Sequence, residues 1–511
     1  MEDIIADPPD VRRPAPGERK QRDREDAEVA ACTAPPPSST PLAPSDDIPP
    51  PSDEDAPPDA AGRVKRKRSK HVGVDGPVGM ATDYISRFAM HPDGPTLRRW
   101  RGDWHCWTPG SGRYVRVTDE RIEATLYRDL RLTRPAAVRD VRSSLIAVEG
   151  VLIDEVQLGG WIGDPAIEYP PLEVAACPNG LLHLRSRTLH PATPRYFATT
   201  SLGVNYEREA PAPERWLTFL RQLWRDDDQS IAALQEWFGY LLTPDTRQQK
   251  ILLLIGPKRS GKGTIGRVLK ALLGGDSVAA PTLASLGTNF GLWPLIGRTA
   301  AIIGDARLGG RSDIAQIVER LLSISGQDAQ TIDRKHREPW TGYLSARMTI
   351  ISNELPRFTD ASDALASRML ILELERSFFG QENTNLSETL ISELPGILAW
   401  ALDGWDRLRL RGHFVQPSAS AGLADDLTDL ASPVAAWVRK RCDRGDGYEA
   451  DCDVAFINYQ AWATEGNHDK VTLTTFGGDL KAAAQVKRMQ VRNGLVRSWV
   501  YRGIRLHPLH P

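Results

Sequence analysis

Ile251-Leu252-Leu253-Leu254-Ile255-Gly256-Pro257-Lys258-Arg259-Ser260-Gly261-Lys262-Gly263-Thr264 passes from an unbroken apolar run into a glycine-rich stretch. Apolar residues at helical spacing follow, in Ile265-Gly266-Arg267-Val268-Leu269-Lys270-Ala271-Leu272-Leu273. The pattern predicts a buried strand, a turn and a helix. Such a turn is a phosphate cradle. Gly256 and Gly261 let the backbone bend so that several N–H groups face one anion. The helix N-terminus adds its positive dipole end, and Lys262 brings a full charge to the β- and γ-phosphates. The residue after Lys262 is Gly263, where a Ser or Thr normally offers a hydroxyl to Mg²⁺. Thr264 is left to take that place or to touch the α-phosphate. The whole loop, Gly256, Pro257, Lys258, Arg259, Ser260, Gly261, Lys262, Gly263 and Thr264, is the expected ATP site.

Outward from that loop, strand and helix patterns alternate to about residue 375, as in an α/β sheet. Arg298 to Asp305 reads as a second buried strand ending in a carboxylate, with Asp305 placed to hold the water shell of Mg²⁺. A third strand, Met348-Thr349-Ile350-Ile351, ends in Ser352-Asn353-Glu354, and Asn353 there is positioned to bond an attacking water or the γ-phosphate. Its plainer role is that of a turn residue after a strand. Arg368 precedes a further apolar strand, Met369-Leu370-Ile371-Leu372, and fits an arginine that reaches a neighbouring subunit's nucleotide. Upstream, Trp216, Phe219, Leu220, Leu223 and Trp224 recur at three- and four-residue spacing, as do Ile231, Leu234, Trp237, Phe238 and Leu241. Residues 386–412 return to helix.

The net charge of −2 conceals an uneven chain. Residues 1–62 hold fifteen Asp and Glu against six Lys and Arg, and fourteen of the thirty-eight prolines. Such a segment buries too little apolar surface to offset its chain entropy and is expected to be disordered. It ends in the basic run Arg63 to Lys70, either a nonspecific DNA tether or a solvated linker. The five cysteines are scattered and form no C-x-x-C pair. A zinc ribbon is not expected, and a reducing, cytoplasmic setting is. Neither a signal peptide nor a membrane-length apolar run is seen.

Order is expected from Ala81-Thr82-Asp83-Tyr84, with Asp83 capping a short helix, followed by a hairpin over Leu97–Trp107 with a Gly-Asp turn. Its tryptophans are read as a small β core rather than a base-stacking surface. At the other end, Ser432-Pro433 opens a helix, a second surrounds Phe456 to Trp462, and Thr474 would cap a third over Phe476–Ala484. A hairpin turning near Asn493-Gly494 closes the chain. Three helices and a hairpin make a winged-helix pattern. From Ser432 onward there are twelve Lys and Arg against eight Asp and Glu. Lys481, Lys487, Arg488, Arg492 and Arg497 are its candidate duplex-DNA contacts.

Taken together, the loop at Gly256–Thr264, GDARLGGR at 304–311, ISGQDAQTIDRKH at 324–336, ISNELPR at 351–357 and ALASR at 364–368 resemble the superfamily-three helicases, and among them the phage and plasmid primase–helicases. The resemblance runs from about Leu172 to the C-terminus. It implies an AAA+-like P-loop NTPase core of an α/β fold, with an α+β N-terminal domain and a C-terminal winged helix. It also implies a homo-oligomeric ring, usually a hexamer, that uses ATP and Mg²⁺ to move single-stranded DNA through its pore. Lys335 matches the family's pore lysine, Asn353 its sensor and Arg368 its finger. One departure concerns the second strand, where Gly304 and Ala306 flank Asp305 and no second acid stands beside it. Either Asp305 orients the water alone, or Glu319 or Glu354 helps. Residues 71–170 show no acidic triad for nucleotidyl transfer, so a primase, if used, is expected on a separate chain.

The expected domains are therefore a tail (1–70), an α+β domain (71–210), the ATPase (211–376), a helical lid (377–430) and the winged helix (431–511). The expected function is an ATP-dependent replicative DNA helicase of phage, prophage or plasmid. The alternatives are a replication initiator that uses ATP as an assembly switch, and a small-molecule kinase.

Overall fold

The computed structural model describes residues 76–163, 169–304, 314–356, 358, 363–466, 471–493 and 496–507. The acidic tail, the basic run and Asp305 lie outside them. Residues 76–109 with 114–155 form one compact unit, and 110–113 with 156–507 a second.

In the first unit, helix α1 (Pro77–Phe88) starts one turn earlier than expected, because Pro77 supplies a preorganised first helical residue after Gly76. Asp83 is therefore inside the helix, paired with Arg87 at 2.9 Å, and caps nothing. Strands β1 (Leu97–Trp100) and β2 (Asp103–Thr108) pair with Trp100 opposite Asp103. The turn is thus Arg101-Gly102, both at positive φ (45° and 82°), rather than Gly-Asp. Strand β3 (Arg113–Val117) completes the sheet, and α2 (Asp119–Asp129) and α3 (Pro135–Ser144) pack with α1. Trp104 is buried in the same cluster as Leu97, Tyr84, Ile85 and Leu126, so it is core. His105 is buried too, and burial pushes its imidazole down to about 4, which leaves it neutral. Cys106 is disulfide-bonded, which the spacing of the cysteines did not suggest. Cys177, Cys442 and Cys452 are buried free thiols.

The second unit begins at Val156, not at residue 211. Its first sheet, β4 (Val174–Cys177), β5 (Gly180–His183) and β6 (Thr188–His190), sends Ala175, Cys177 and Leu182 into one core. That core also holds Trp216 and Leu220 of α4 (Glu214–Leu223), Trp237 of α5 (Asp228–Tyr240) and Leu252 of β7 (Ile251–Ile255). Shared burial, which periodicity does not reveal, ties this sheet to the core around β7.

A five-stranded parallel sheet organises this unit, so the fold is mixed α/β as expected. Its order is β8 (Val278–Ala279), β9 (Ala300–Ile303), β12 (Arg347–Ser352), β7, β13 (Met369–Glu373). Every residue of β7 is buried, as befits a central strand covered on both faces. Between β9 and β12 come α7 (Ile314–Ser325) and an antiparallel hairpin, β10 (Gln330–Arg334) and β11 (Arg337–Gly342). Between β12 and β13 lies α8 (Asp363–Arg368).

After β13, α9 (Leu386–Ile391) and α10 (Leu394–Arg411) return over the core. Helices α5 and α10 meet backbone to backbone. A Cβ on Gly239 would lie 2.4 Å from the Ala401 carbonyl oxygen, and one on Gly404 would lie 2.3 Å from that of Gln235. Buried Glu236 accepts from Arg407 Nε at 2.6 Å and from both terminal nitrogens of Arg411 across the same seam. Removing one partner of a buried ion pair costs roughly 3–5 kcal/mol, and the half-exposed arginines place this case at the lower end. Glu236→Ala is expected to lower the thermal midpoint clearly. A midpoint within a degree of the parent's would remove this triad from the forces holding α5 to α10.

The C-terminal module comprises α12 (Pro433–Arg441), β14 (Cys442–Asp451), α13 (Cys452–Glu465), α14 (Leu473–Ala484), β15 (Lys487–Asn493) and β16 (Val496–Leu506), preceded by α11 (Ala421–Ala431). Its sheet order is β14-β16-β15. Strand β14 escapes sequence reading because Asp443-Arg444-Gly445-Asp446-Gly447 has no apolar alternation. It forms by pairing with β16. Thr472 caps α14 by accepting from the Thr475 amide, so the cap lies two residues before the expected Thr474. Asn493 pairs with Val496, and Gly494 lies outside the described residues.

Candidate functional site

The loop between β7 and α6 (Lys262–Leu273) is the best-built site in the molecule. Gly256 has φ 153° and Gly261 φ 93°. Space forbids a side chain at Gly256 and crowds one at Gly261. A Cβ on Gly256 would meet the Leu374 carbonyl oxygen at 2.1 Å, and one on Gly261 would press on Leu223 and Phe219 of α4 at 3.0 and 3.2 Å. Both residues are therefore glycine for packing as well as for backbone angle. Gly266, one turn into α6, sits against Ile351 of β12 with 3.1 Å for a Cβ, which lets the helix lie close to the sheet.

Lys262 is buried within this loop. Its Nζ donates to the carbonyl oxygens of Gly256 and Pro257 at 2.6 and 2.7 Å and to Ser260 Oγ at 3.1 Å. Burial pushes its ammonium below the ordinary lysine range. These three partners are neutral oxygens, so the charge is caged but not cancelled by them. Thr264 is buried at the same helix start, and its Oγ1 accepts from Arg267 Nη2 at 3.0 Å. Arg267 also donates from Nε to Ser387 Oγ at 2.8 Å.

Parallel registration brings the third strand beside the loop. Ile255 is opposite Ser352, so Asn353 projects from the same sheet edge as Gly256. Asn353 lines a cleft of about 840 Å³ together with Lys258, Arg259, Ser260, Gly261, Lys262, Gly263 and Thr264. Among the described residues that were expected to act on nucleotide, these are the ones brought together. Asp305 lies outside the description. Glu319 and Glu354 are exposed and do not line the cleft.

The far wall of the cleft has no motif. Thr218, Phe219 and Gln222 come from α4, and Phe378, Gln381 and Asn383 from the segment after β13. That segment is laced to the outside of the loop. The Phe378 amide donates to the Arg259 carbonyl at 3.0 Å and Ser377 Oγ to that of Lys258 at 2.8 Å. Sequence reasoning missed these residues because they arrive by tertiary packing. Arg267 alone left a signal, one helical turn after Thr264.

Arg368 is elsewhere. It precedes β13, which runs parallel to β7, so it sits at the amino end of the sheet while the loop sits at the carboxyl end. Five strand residues separate those ends, about 16 Å. Its Nη1 donates to Ser325 Oγ at 3.0 Å and to the Leu322 carbonyl, at the C-terminal end of α7, where a cation is favoured. Lys335 is exposed at the two-residue tip of the β10–β11 hairpin, followed by His336 at φ 59°. Lys481, Lys487, Arg488, Arg492 and Arg497 are all exposed on the C-terminal module.

Residues 254–368, from the cradle strand to Arg368, match a family of unknown function (DUF5906). Residues 172–225 match a family described as D5 N terminal like. The second match points to a relationship with phage primase–helicases. Two apo structures of the NrS-1 C terminal region are also similar. One is 12 % identical, covers 80 % of this chain and 97 % of its own, and has a TM-score of 0.47. The other is 13 % identical, covers 84 % and 99 %, and has the same TM-score of 0.47. Nothing about this chain is rested on likeness at that level. No described helix is long and apolar enough to cross a membrane.

Proposed function

We propose that this chain is an ATP-driven DNA helicase of the superfamily-three type, acting as a homo-oligomeric ring in phage, prophage or plasmid replication. The observation that carries the proposal is the caged ammonium of Lys262 in a loop whose first glycine, Gly256, has no room for a Cβ. A buried cation with neutral partners favours a polyanion, and a helix N-terminus beside it favours phosphate.

In this reading the loop is a P-loop, and the amides from Ser260 to Thr264 cradle the phosphates. Lys262 binds the β- and γ-oxygens. Asn353 orients the attacking water from the neighbouring strand. Arg368, too far from its own loop, serves the nucleotide of the next subunit. Mg²⁺ would arrive with the nucleotide and neutralise charge on its phosphates, with Thr264 and Asp305 to hold it. Lys335, at the hairpin tip, grips single-stranded DNA in the pore. The C-terminal module is a winged helix that docks on DNA through Lys481, Lys487, Arg488, Arg492 and Arg497.

The test is hydrolysis with and without single-stranded DNA, alongside displacement of an annealed strand from a fork. DNA-stimulated hydrolysis with displacement is expected. Hydrolysis without displacement would favour an ATP-switched initiator, and hydrolysis indifferent to DNA would favour a small-molecule kinase. Lys335→Ala is expected to keep basal hydrolysis and lose its stimulation by DNA. Unwinding at the parental rate would take Lys335 out of the pore.

A further inference from the structure

The helix in the position that usually reads DNA in a winged helix is poorly equipped here. Helix α14, Leu473 to Ala484, contains no Arg, Asn or Gln. Its only charged residues are Asp479 and Lys481. Base edges in the major groove are read chiefly by Arg, Lys, Asn and Gln side chains. The hairpin is the reverse case. Residues 486–507 contain no Asp or Glu and six Lys or Arg. Two of these belong to the module's own frame, since Arg502 pairs with Glu449 at 2.7 Å and Arg505 with Asp443 at 2.8 Å.

Strand register sorts the others. Directly opposed residues share a face. Arg488 is opposite Tyr501, Gln490 opposite Trp499, and Arg492 opposite Arg497. These six therefore occupy one face. Its inner end, Tyr501, is buried against Phe476 of α14 with ring centroids 6.3 Å apart. Next along it comes Trp499, 46 % exposed, with the Arg488 guanidinium 4.6 Å from the ring centroid, and Arg492 and Arg497 form its outer end. A large exposed indole with arginines along both strands is an unusual surface for a soluble module.

We propose that this hairpin face, and not α14, is the module's principal nucleic-acid contact, and that Trp499 stacks on an unpaired base of a DNA strand. Arg492 and Arg497 hold the flanking phosphates, and Arg488 holds the indole in place from one side. Stacking needs an open π-face, which a continuous duplex conceals and a single strand presents. The absence of carboxylates along both strands matches a phosphate backbone. This deepens the DNA-binding reading above and rests on it.

The experiment uses the full chain carrying Lys335→Ala, without nucleotide, so that the pore lysine does not contribute. Binding is followed by fluorescence anisotropy with three labelled probes: a dT oligonucleotide, an abasic oligonucleotide with the same number of phosphates, and a closed hairpin duplex. Trp499→Ala is expected to weaken dT binding by about tenfold and to leave the abasic probe and the duplex unchanged. Trp499→Phe, which keeps a ring, is expected to restore most of the loss. Arg492→Ala and Arg497→Ala should each lower the salt dependence for every probe, and Lys481→Ala on α14 should weaken binding less than either. Parental dT affinity in Trp499→Ala overturns the proposal. So does an equal loss on the abasic probe or the duplex, or a larger loss from Lys481→Ala than from the hairpin variants. Helicase failure is read separately. A parent chain that binds dT through Trp499 but displaces no strand refutes the helicase and leaves the hairpin face standing. Loss of DNA-stimulated hydrolysis in Lys335→Ala with a silent Trp499→Ala does the opposite.

Discussion

Lys262→Ala is expected to lower nucleotide hydrolysis by about a hundred- to a thousandfold, the scale seen when a preorganised charge-stabilising donor is lost. The size follows from the cage. The ammonium is within 2.6–3.1 Å of three loop oxygens, so it is fixed before any ligand arrives and no reorganisation is needed at the reacting phosphate. Lys262→Arg should fail nearly as badly. A planar guanidinium does not fit a pocket built around a compact point charge. The check is steady-state phosphate release, with the thermal midpoint measured in parallel to exclude unfolding. Hydrolysis within tenfold of the parent in Lys262→Ala would separate the loop from the chemistry.

Arg368→Ala is the second large effect. Loss of an arginine of this kind costs about 10³–10⁵ in rate where it stabilises a transferring phosphoryl group. The structure sharpens the test, because Arg368 also caps the end of α7 through Leu322 and Ser325. A merely structural arginine would lose activity by loosening that helix, and no partner would cure it. An arginine acting on the neighbour would be cured. In a mixture of Arg368→Ala with Lys262→Ala chains, the second supplies Arg368 to an intact loop on the first. Activity above the sum of the two separate preparations is expected. No gain at any mixing ratio would reduce Arg368 to a helix cap.

The cradle was readable because all its determinants are consecutive: an apolar strand, two glycines, a lysine and a helical period. The third strand was readable too, and register then placed Asn353 beside the loop. The wall opposite was not, since Phe219 and Gln222 come from α4 and Phe378 from the segment after β13, and these share no pattern and meet only when the core closes. Strand β14 was hidden for a related reason. Its glycines and charges carry no strand signal, and it exists because β16 offers unpaired backbone groups. The boundary near residue 210 was misplaced because aromatic helices look like a beginning, whereas Leu182 and Trp216 share one core.

Strand β13 has a mechanical consequence. Arg368 is at its start, and at its finish the Leu374 amide bonds the Ile255 carbonyl at 2.8 Å just before the cradle turns. An extended strand is already near its full length and has no slack to absorb a tug. It behaves as a tie rod. Whatever shifts the arginine at one edge of the sheet must also shift the wall of the cleft at the other.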